Sequence, residues 1–246
     1  MSVTLTFLGS GDAFGSDGRF QTCLALRGGA ATILVDCGAS SLIAMKRFGV
    51  PPGEVSAVVL SHLHGDHFGG LPFLILDGQF SRRTTPLVVA GPPGVQERVE
   101  RAMEVLFPGS TRAERRFAVD FVELPERVTT PLGGARVTAF AVEHASGAPA
   151  YALRLDYAGR TVTYSGDTEW TDALLDAACD ADCFVCEAYT FDRPLRFHLD
   201  YATVRAAAPR FRARRVVLTH MGPSMLARRA EADFECASDG LVLSLA

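Results

Sequence analysis

No apolar run in this 246-residue chain approaches the roughly 20 residues that a membrane span requires, so no helix is expected to cross a bilayer. The opening residues, Met-Ser-Val-Thr-Leu-Thr-Phe-Leu-Gly, lack both a basic stretch and a long apolar stretch. A secretory leader is therefore not expected, and a cytoplasmic location is. Lysine is nearly missing: Lys46 is the only one, and arginine carries the rest of the basic charge. Arginine suits bidentate contacts to phosphate, although genome composition produces the same bias. The net charge of −4 supplies no global basic field for holding nucleic acid. No linker, low-complexity segment or internal repeat divides the sequence, so one domain over residues 1–246 is expected. Its 48% apolar content is ample for a sizeable core.

The six cysteines are scattered. Cys179, Cys183 and Cys186 lie close enough in sequence to invite a structural metal. The stronger reading is packing, because Cys183-Phe184-Val185-Cys186 looks like a buried strand and free cysteine packs as a small hydrophobe.

Strands are expected at 3–8, 22–27, 31–36, 55–61, 86–90, 117–124, 136–143, 150–156, 160–165, 182–188, 215–219 and 240–245. The second and third form a hairpin around Gly28-Gly29. Helical patterning covers about 40–48, 71–79, 93–106, 170–178 and 200–208. Strands and helices alternate in both halves, which points to an α/β fold of two facing sheets with helices outside.

Three of the six histidines fall in one stretch, His62-Leu63-His64-Gly65-Asp66-His67, just after an apolar strand. Packing does not explain four metal-capable side chains within six residues. In an extended turn His62 and His64 project to the same side and can share an ion. Asp66 and His67 can reach an adjacent ion, and Gly65 supplies freedom for the bend. Further ligands must come from elsewhere. His144, Asp167 and His220 each follow an apolar strand, and each alone would read as a surface or capping residue. Given the cluster, they become the candidate suppliers, carried on loops held by a rigid scaffold.

In combination these motifs resemble the metallo-β-lactamase superfamily of metal-dependent hydrolases, and within it the ribonuclease Z-like branch. The matching residues are the 62–67 cluster, His144, Ser165-Gly166-Asp167-Thr168 and Leu218-Thr219-His220. Phe7-Leu8-Gly9-Ser10-Gly11 and Val35-Asp36-Cys37-Gly38 match in kind. The resemblance implies an αββα four-layer sandwich of two mixed β-sheets with a dinuclear site at one edge. It implies that His62, His64 and His144 bind one divalent ion, that Asp66, His67 and His220 bind a second, and that Asp167 bridges them. Zinc or manganese would serve. Asp66 would orient or deprotonate the attacking water. The resemblance also gives His198 the role of general acid, held by Glu187 in Cys186-Glu187-Ala188-Tyr189, where the branch has His-Glu-Ala-Thr.

Ribonuclease Z proper carries a tRNA-gripping arm between the features matching His144 and Asp167. Only 22 residues separate them here, enough for a hairpin. The expected substrate is therefore a small or medium phosphodiester such as a cyclic nucleotide. Nucleic acid stays open as a partner, tRNA is disfavoured, no membrane partner is expected, and a homodimer is left open. A carboxylic-ester, lactone or thioester hydrolase of the same superfamily is the main alternative. A non-catalytic metal-binding relative is another, which loss of a ligand would support; none is lost. The basic run Arg210, Arg212, Arg214 and Arg215 reads first as a solvated face and second as a phosphate-facing patch. Arg82-Arg83 could rim the site.

Overall fold

The computed structural model describes residues 2–29 and 31–245. One seven-stranded sheet contains β1 (Val3–Gly9), β2 (Cys23–Arg27), β3 (Thr32–Val35), β4 (Val55–Val59), β5 (Leu87–Gly91), β6 (Val119–Glu123) and the last strand of the chain, β14 (Val242–Leu245). The other contains β7 (Thr130–Leu132), β8 (Ala135–Val142), β9 (Ala150–Tyr157), β10 (Arg160–Tyr164), β11 (Cys183–Glu187), β12 (Val216–Thr219) and β13 (Glu235–Cys236). The strand orders are β14-β1-β2-β3-β4-β5-β6 and β13-β12-β11-β10-β9-β8-β7. Both sheets are mixed in the same way. Pairing is antiparallel from β14 to β3 and from β7 to β10, and parallel across the remainder of each.

Alternation along the strands sorts side chains into three buried layers. Leu5, Phe7, Ile33, Val35, Val137, Leu153, Leu155 and Val185 face inward and join both sheets in one shared core. On the outer face of the first sheet, Leu34, Val58 and Val89 pack against Met45 of α1 (Ser41–Arg47), Leu71, Leu74 and Ile75 of α3 (Leu71–Phe80), and Val99 and Met103 of α4 (Val95–Leu106). Outside the second sheet, Ala152, Phe184 and Leu218 meet Leu174 of α5 (Ala173–Ala178), Val204 of α6 (Tyr201–Ala207), and Met225 of α7 (Pro223–Ala227). Burying each such large side chain contributes about 1.5–3 kcal/mol. The layering is the four-layer αββα sandwich that the resemblance implies. Among the described residues no helix is long and apolar enough to cross a membrane.

The expected strands and helices are all present; α1, α4, α5 and α6 are trimmed by one to three residues at an end, and α3 runs one residue past its expected end. Four strands or α-helices were not expected: the short helix α2 (Gly65–Phe68), where an extended turn was expected, and β7, β13 and α7. β7 is a three-residue edge strand containing Pro131, a residue that central strands exclude. It joins β8 through Gly133-Gly134, whose φ values of 56° and 89° are those of a tight hairpin turn.

Candidate metal centre

β10, β11 and β12 run parallel, and β8 runs the same way through the antiparallel β9. Their C-terminal ends therefore open on one edge of the second sheet, and His144, Asp167, Glu187 and His220 stand at those ends. The 62–67 loop leaves β4 of the facing sheet and closes over the same edge, with a short helix α2 (Gly65–Phe68) carrying Asp66 and His67. Two glycines permit the approach. A Cβ on Gly38 would come within 2.2 Å of the Asp66 carbonyl oxygen. Gly166 has φ +61°, and a Cβ there would lie 2.5 Å from the Tyr151 carbonyl oxygen.

Donor atoms of His62, His64 and His144 lie within 4.8 Å of one another, as do those of Asp66, His67, Asp167 and His220. These side chains are buried or half-buried. Each Nδ1 of four histidines has a protein acceptor. His67 donates to Asp36 Oδ2 at 2.6 Å, and His144 donates to the Phe197 carbonyl at 2.8 Å. The Ser61 hydroxyl gives its hydrogen to Asp36, so at 3.0 Å it accepts from His62. The Thr22 hydroxyl gives its hydrogen to the Gly11 carbonyl, so at 3.1 Å it accepts from His220. With Nδ1–H committed, each Nε2 carries a lone pair turned to the centre.

Two of those ring nitrogens have no partner in the protein. Among the described residues, His62 Nε2, His67 Nε2 and Asp167 Oδ1 are buried with no hydrogen-bond partner. His144 Nε2 instead accepts from His64 Nδ1–H at 3.0 Å, which leaves the His64 Nε2 lone pair free. Asp167 Oδ2 lies 3.3 Å from both His67 Nε2 and His220 Nε2, and 3.9 Å from His62 Nε2.

Protonation states agree with that geometry. Burial, followed by the neighbouring His67, pushes His62 well below the ordinary histidine value. Burial also lowers His144 and His220 against the opposing pull of Asp167. Burial would raise Asp167, but His220 and His67 hold it well below the usual carboxylate range. Burial likewise opposes ionisation of Asp66, and His67 outweighs it. Neutral imidazoles and ionised carboxylates are the forms that ligate cations. His67 is the exception. Burial lowers it, but Asp167, Asp66 and Asp36 together raise it well above the ordinary value. That surplus of negative charge is what a cation offsets. The donor set thus fits hard or borderline divalent ions.

His198 stands at the rim. Its Nδ1 donates to Glu187 Oε2 at 3.0 Å, and its ring stacks on Tyr189 with centroids 4.8 Å apart. Glu187 is fully buried and also accepts from the Thr168 backbone N–H. Burial and the Asp167 charge raise Glu187 to about 8. Burial lowers His198, but the hydrogen bond and charge of Glu187 outweigh it and the value rises. Both shifts act in the same direction: the pair retains a proton.

Sequence reasoning missed Thr22, Ser61, Tyr189 and the Phe197 carbonyl, and it noted Asp36 only as part of a motif. Asp36 had a signal, a carboxylate placed directly after the apolar run Ile33-Leu34-Val35. A backbone carbonyl has none. Arg83 does not rim the site: it is buried and donates to the carbonyls of Thr85, Pro52, Val55 and Pro86. Arg210, Arg212, Arg214 and Arg215 are paired with Asp172, Asp180, Asp182 and Glu235, so the run is a salt-bridged face. The cysteines are free, and Cys183 and Cys186 are buried in β11.

Among similar proteins, Ribonuclease Z of Agathobacter rectalis is 25% identical over 276 residues, covering 91% of this chain and 89% of the relative. Ribonuclease Z of Haloferax volcanii is 29% identical over 274 residues, covering 90% and 85%. The metallo-β-lactamase fold protein YhfI of Bacillus subtilis superposes with a TM-score of 0.81 at 20% identity, covering 99% of this chain and 100% of that one. A diphosphatase of the PhnP family does so with a TM-score of 0.78 at 20% identity, covering 98% and 97%. The family described as Anti-Pycsar protein Apyc1 matches residues 3–237. The chain belongs to that family, among the hydrolases of the metallo-β-lactamase fold.

Proposed function

We propose that this protein is a phosphodiesterase that uses two divalent ions to hydrolyse a nucleotide-type phosphodiester, and that the chain works as one domain. The observation that carries the reading is the Glu187–His198 pair beside the donor cluster. An alkoxide leaving group needs a proton, whereas a thiolate departs without one. A thioesterase would have no use for this pair. The Ribonuclease Z and diphosphatase names of similar proteins support phosphorus chemistry.

In this reading His62, His64 and His144 hold one ion, Asp66, His67 and His220 hold the other, and Asp167 lies between. Such ions, when bound, supply Lewis acidity and an acidified water. Asp66, whose Oδ2 lies 3.1 Å from His67 Nε2, would orient such a water and accept its proton. Asp36 fixes His67 directly and His62 through Ser61, which sets the direction of both rings. His198, held at Nδ1 by Glu187, gives the proton on Nε2 to the departing oxygen. Between His144 and Asp167 the chain makes only the β9–β10 hairpin, closed by Ala158-Gly159, so this part of the molecule has no insertion with which to grip a folded RNA.

His198→Ala tests the reading. Metal content by elemental analysis is expected to stay at the wild-type level. Hydrolysis of a nucleotide phosphodiester is expected to fall about 10²–10⁴-fold. A p-nitrophenyl phosphodiester, whose phenolate leaves unaided, is expected to lose much less. Equal turnover of both substrates by variant and wild type, or wild-type preference for a lactone or thioester, would sink the proposal.

A further inference from the structure

Three of the five tyrosine hydroxyls are committed within the protein. Tyr151 donates to the Leu124 carbonyl, Tyr157 to the Ala31 carbonyl and Tyr201 to Asp233. A fourth, Tyr164, is sealed in the core that the two sheets share. Tyr189 is neither. It is half-buried, and among the described residues its hydroxyl has no hydrogen-bond partner. It stands two residues past the end of β11, in Cys186-Glu187-Ala188-Tyr189, where the ribonuclease Z-like branch has threonine. The phenol is thus a departure of this chain from that branch.

The backbone of Tyr189 is pinned from two sides. Its N–H donates to the Leu199 carbonyl at 2.9 Å, next to His198, and its carbonyl accepts from the Gly222 N–H at 2.9 Å, in the turn after His220. The ring lies between those two segments. It stacks on the His198 imidazole with centroids 4.8 Å apart and planes at 30°, and its centroid lies 6.1 Å from that of His220. A Cβ on Gly222 would meet Cζ, the carbon that carries the hydroxyl, at 3.0 Å. The hydroxyl is therefore one bond beyond an atom held against the His220 turn, on a ring held against His198. Burial, followed by the charges of Asp12, Asp167 and Glu187, raises the phenol above its ordinary value, so the group keeps its hydrogen. Stacking on His198 needs only the ring, which phenylalanine would supply equally. The hydroxyl adds a donor that the protein itself leaves unused, beside the donor cluster.

We propose that Tyr189 Oη donates a hydrogen bond to a non-bridging oxygen of the reacting phosphoryl group, which makes Tyr189 a catalytic residue alongside His198. The inference rests on the phosphodiesterase reading. His198 serves the departing oxygen, and Tyr189 serves the oxygens that stay on phosphorus and carry the charge of the transition state. The two roles leave different signatures when the leaving group is changed.

Tyr189→Phe removes the hydroxyl and keeps the stack. Metal-loaded wild type and variant are compared on a nucleotide phosphodiester and on a p-nitrophenyl phosphodiester across pH, and binding of inorganic phosphate is measured by calorimetry. kcat/KM is expected to fall about 10–100-fold on both substrates alike, because both carry the non-bridging oxygens. Phosphate affinity is expected to fall about tenfold. Metal content and the alkaline limb of the rate–pH profile are expected to stay at wild-type values. A kcat/KM within about twofold of wild type on both substrates overturns the inference. So does a loss confined to the nucleotide substrate with a shifted alkaline limb, which would make Tyr189 a positioning residue for His198. So does loss of metal, which would place the hydroxyl at the ions. If wild type turns over no phosphodiester, phosphate binding decides: an affinity about tenfold weaker in the variant leaves the hydroxyl as an anion donor while the phosphodiesterase reading fails, and an unchanged affinity ends both.

Discussion

His198 and Glu187 form one proton-holding unit, and its pH behaviour follows from the hydrogen bond between them. Glu187 is buried and lies beside Asp167, so removing its charge relieves a repulsion as well as breaking an attraction. For His198 the sign is unambiguous. Burial alone would lower it, and Glu187 is the main reason it rises. A general acid works only while protonated, so activity should decline as pH rises through the His198 value. Glu187→Gln keeps the shape and an acceptor oxygen but removes the charge. The alkaline limb of kcat/KM is then expected to move to lower pH, with the acid limb unmoved. A rate–pH profile on a nucleotide phosphodiester reads this directly. An alkaline limb that stays in place would assign the limb to another group and leave Glu187 with a packing role only. Tyr189 contributes at the same scale, since its ring lies against His198 and against Gly222 and limits where the imidazole can swing.

At the scale of elements, the centre is made by strands that stop at one edge and turn sharply. Ser165-Gly166-Asp167 shows the constraint most clearly. Gly166 occupies φ +61°, where an alanine costs about 1–2 kcal/mol before any clash is added. The Tyr151 carbonyl would then lie 2.5 Å from the new Cβ, so the turn must also shift. Gly166→Ala is expected to lower stability by at least that amount, read as a lower urea midpoint with unchanged slope. Metal content should fall with it, because the shift passes directly to Asp167. Full metal occupancy and an unchanged midpoint would show that the turn is more forgiving than its geometry. The main elements were legible in the sequence because each alternates or repeats against two buried faces: β4, β8, β10 and β12 end where apolar character ends. β7 and β13 were not, since two or three residues carry no period and Pro131 argues against a strand. The histidine cluster announced itself by density. The partners that orient it did not, because Thr22 and Ser61 are ordinary in composition and the Phe197 carbonyl belongs to a backbone that any residue would supply.

At the scale of the whole molecule, the two sheets share the inward layer built from Leu5, Phe7, Val137, Leu153 and Val185, and the centre bridges them at one edge. His62, His64, Asp66 and His67 come from the first sheet, and His144, Asp167 and His220 from the second. Divalent ions held by this set would therefore staple the layers together as well as prepare the chemistry. Two consequences can be measured in one scanning-calorimetry experiment. A shared core predicts a single cooperative transition, with and without metal, because neither sheet can lose its inner face alone. Removing metal with a chelator predicts a lower midpoint. A ligand present at 100 times its Kd adds about 2.7 kcal/mol. In a chain of this size that corresponds to about 5–10 °C. The buried carboxylates of Asp66 and Asp167 strengthen the expectation, since without cations their charges face each other across the centre. Two separated transitions would show that the halves fold independently and would end the one-domain proposal. A midpoint indifferent to chelator would show that the donor cluster binds metal too weakly to hold the sheets, and the two-ion reading of His62, His64, His144, Asp66, His67, His220 and Asp167 would fall with it.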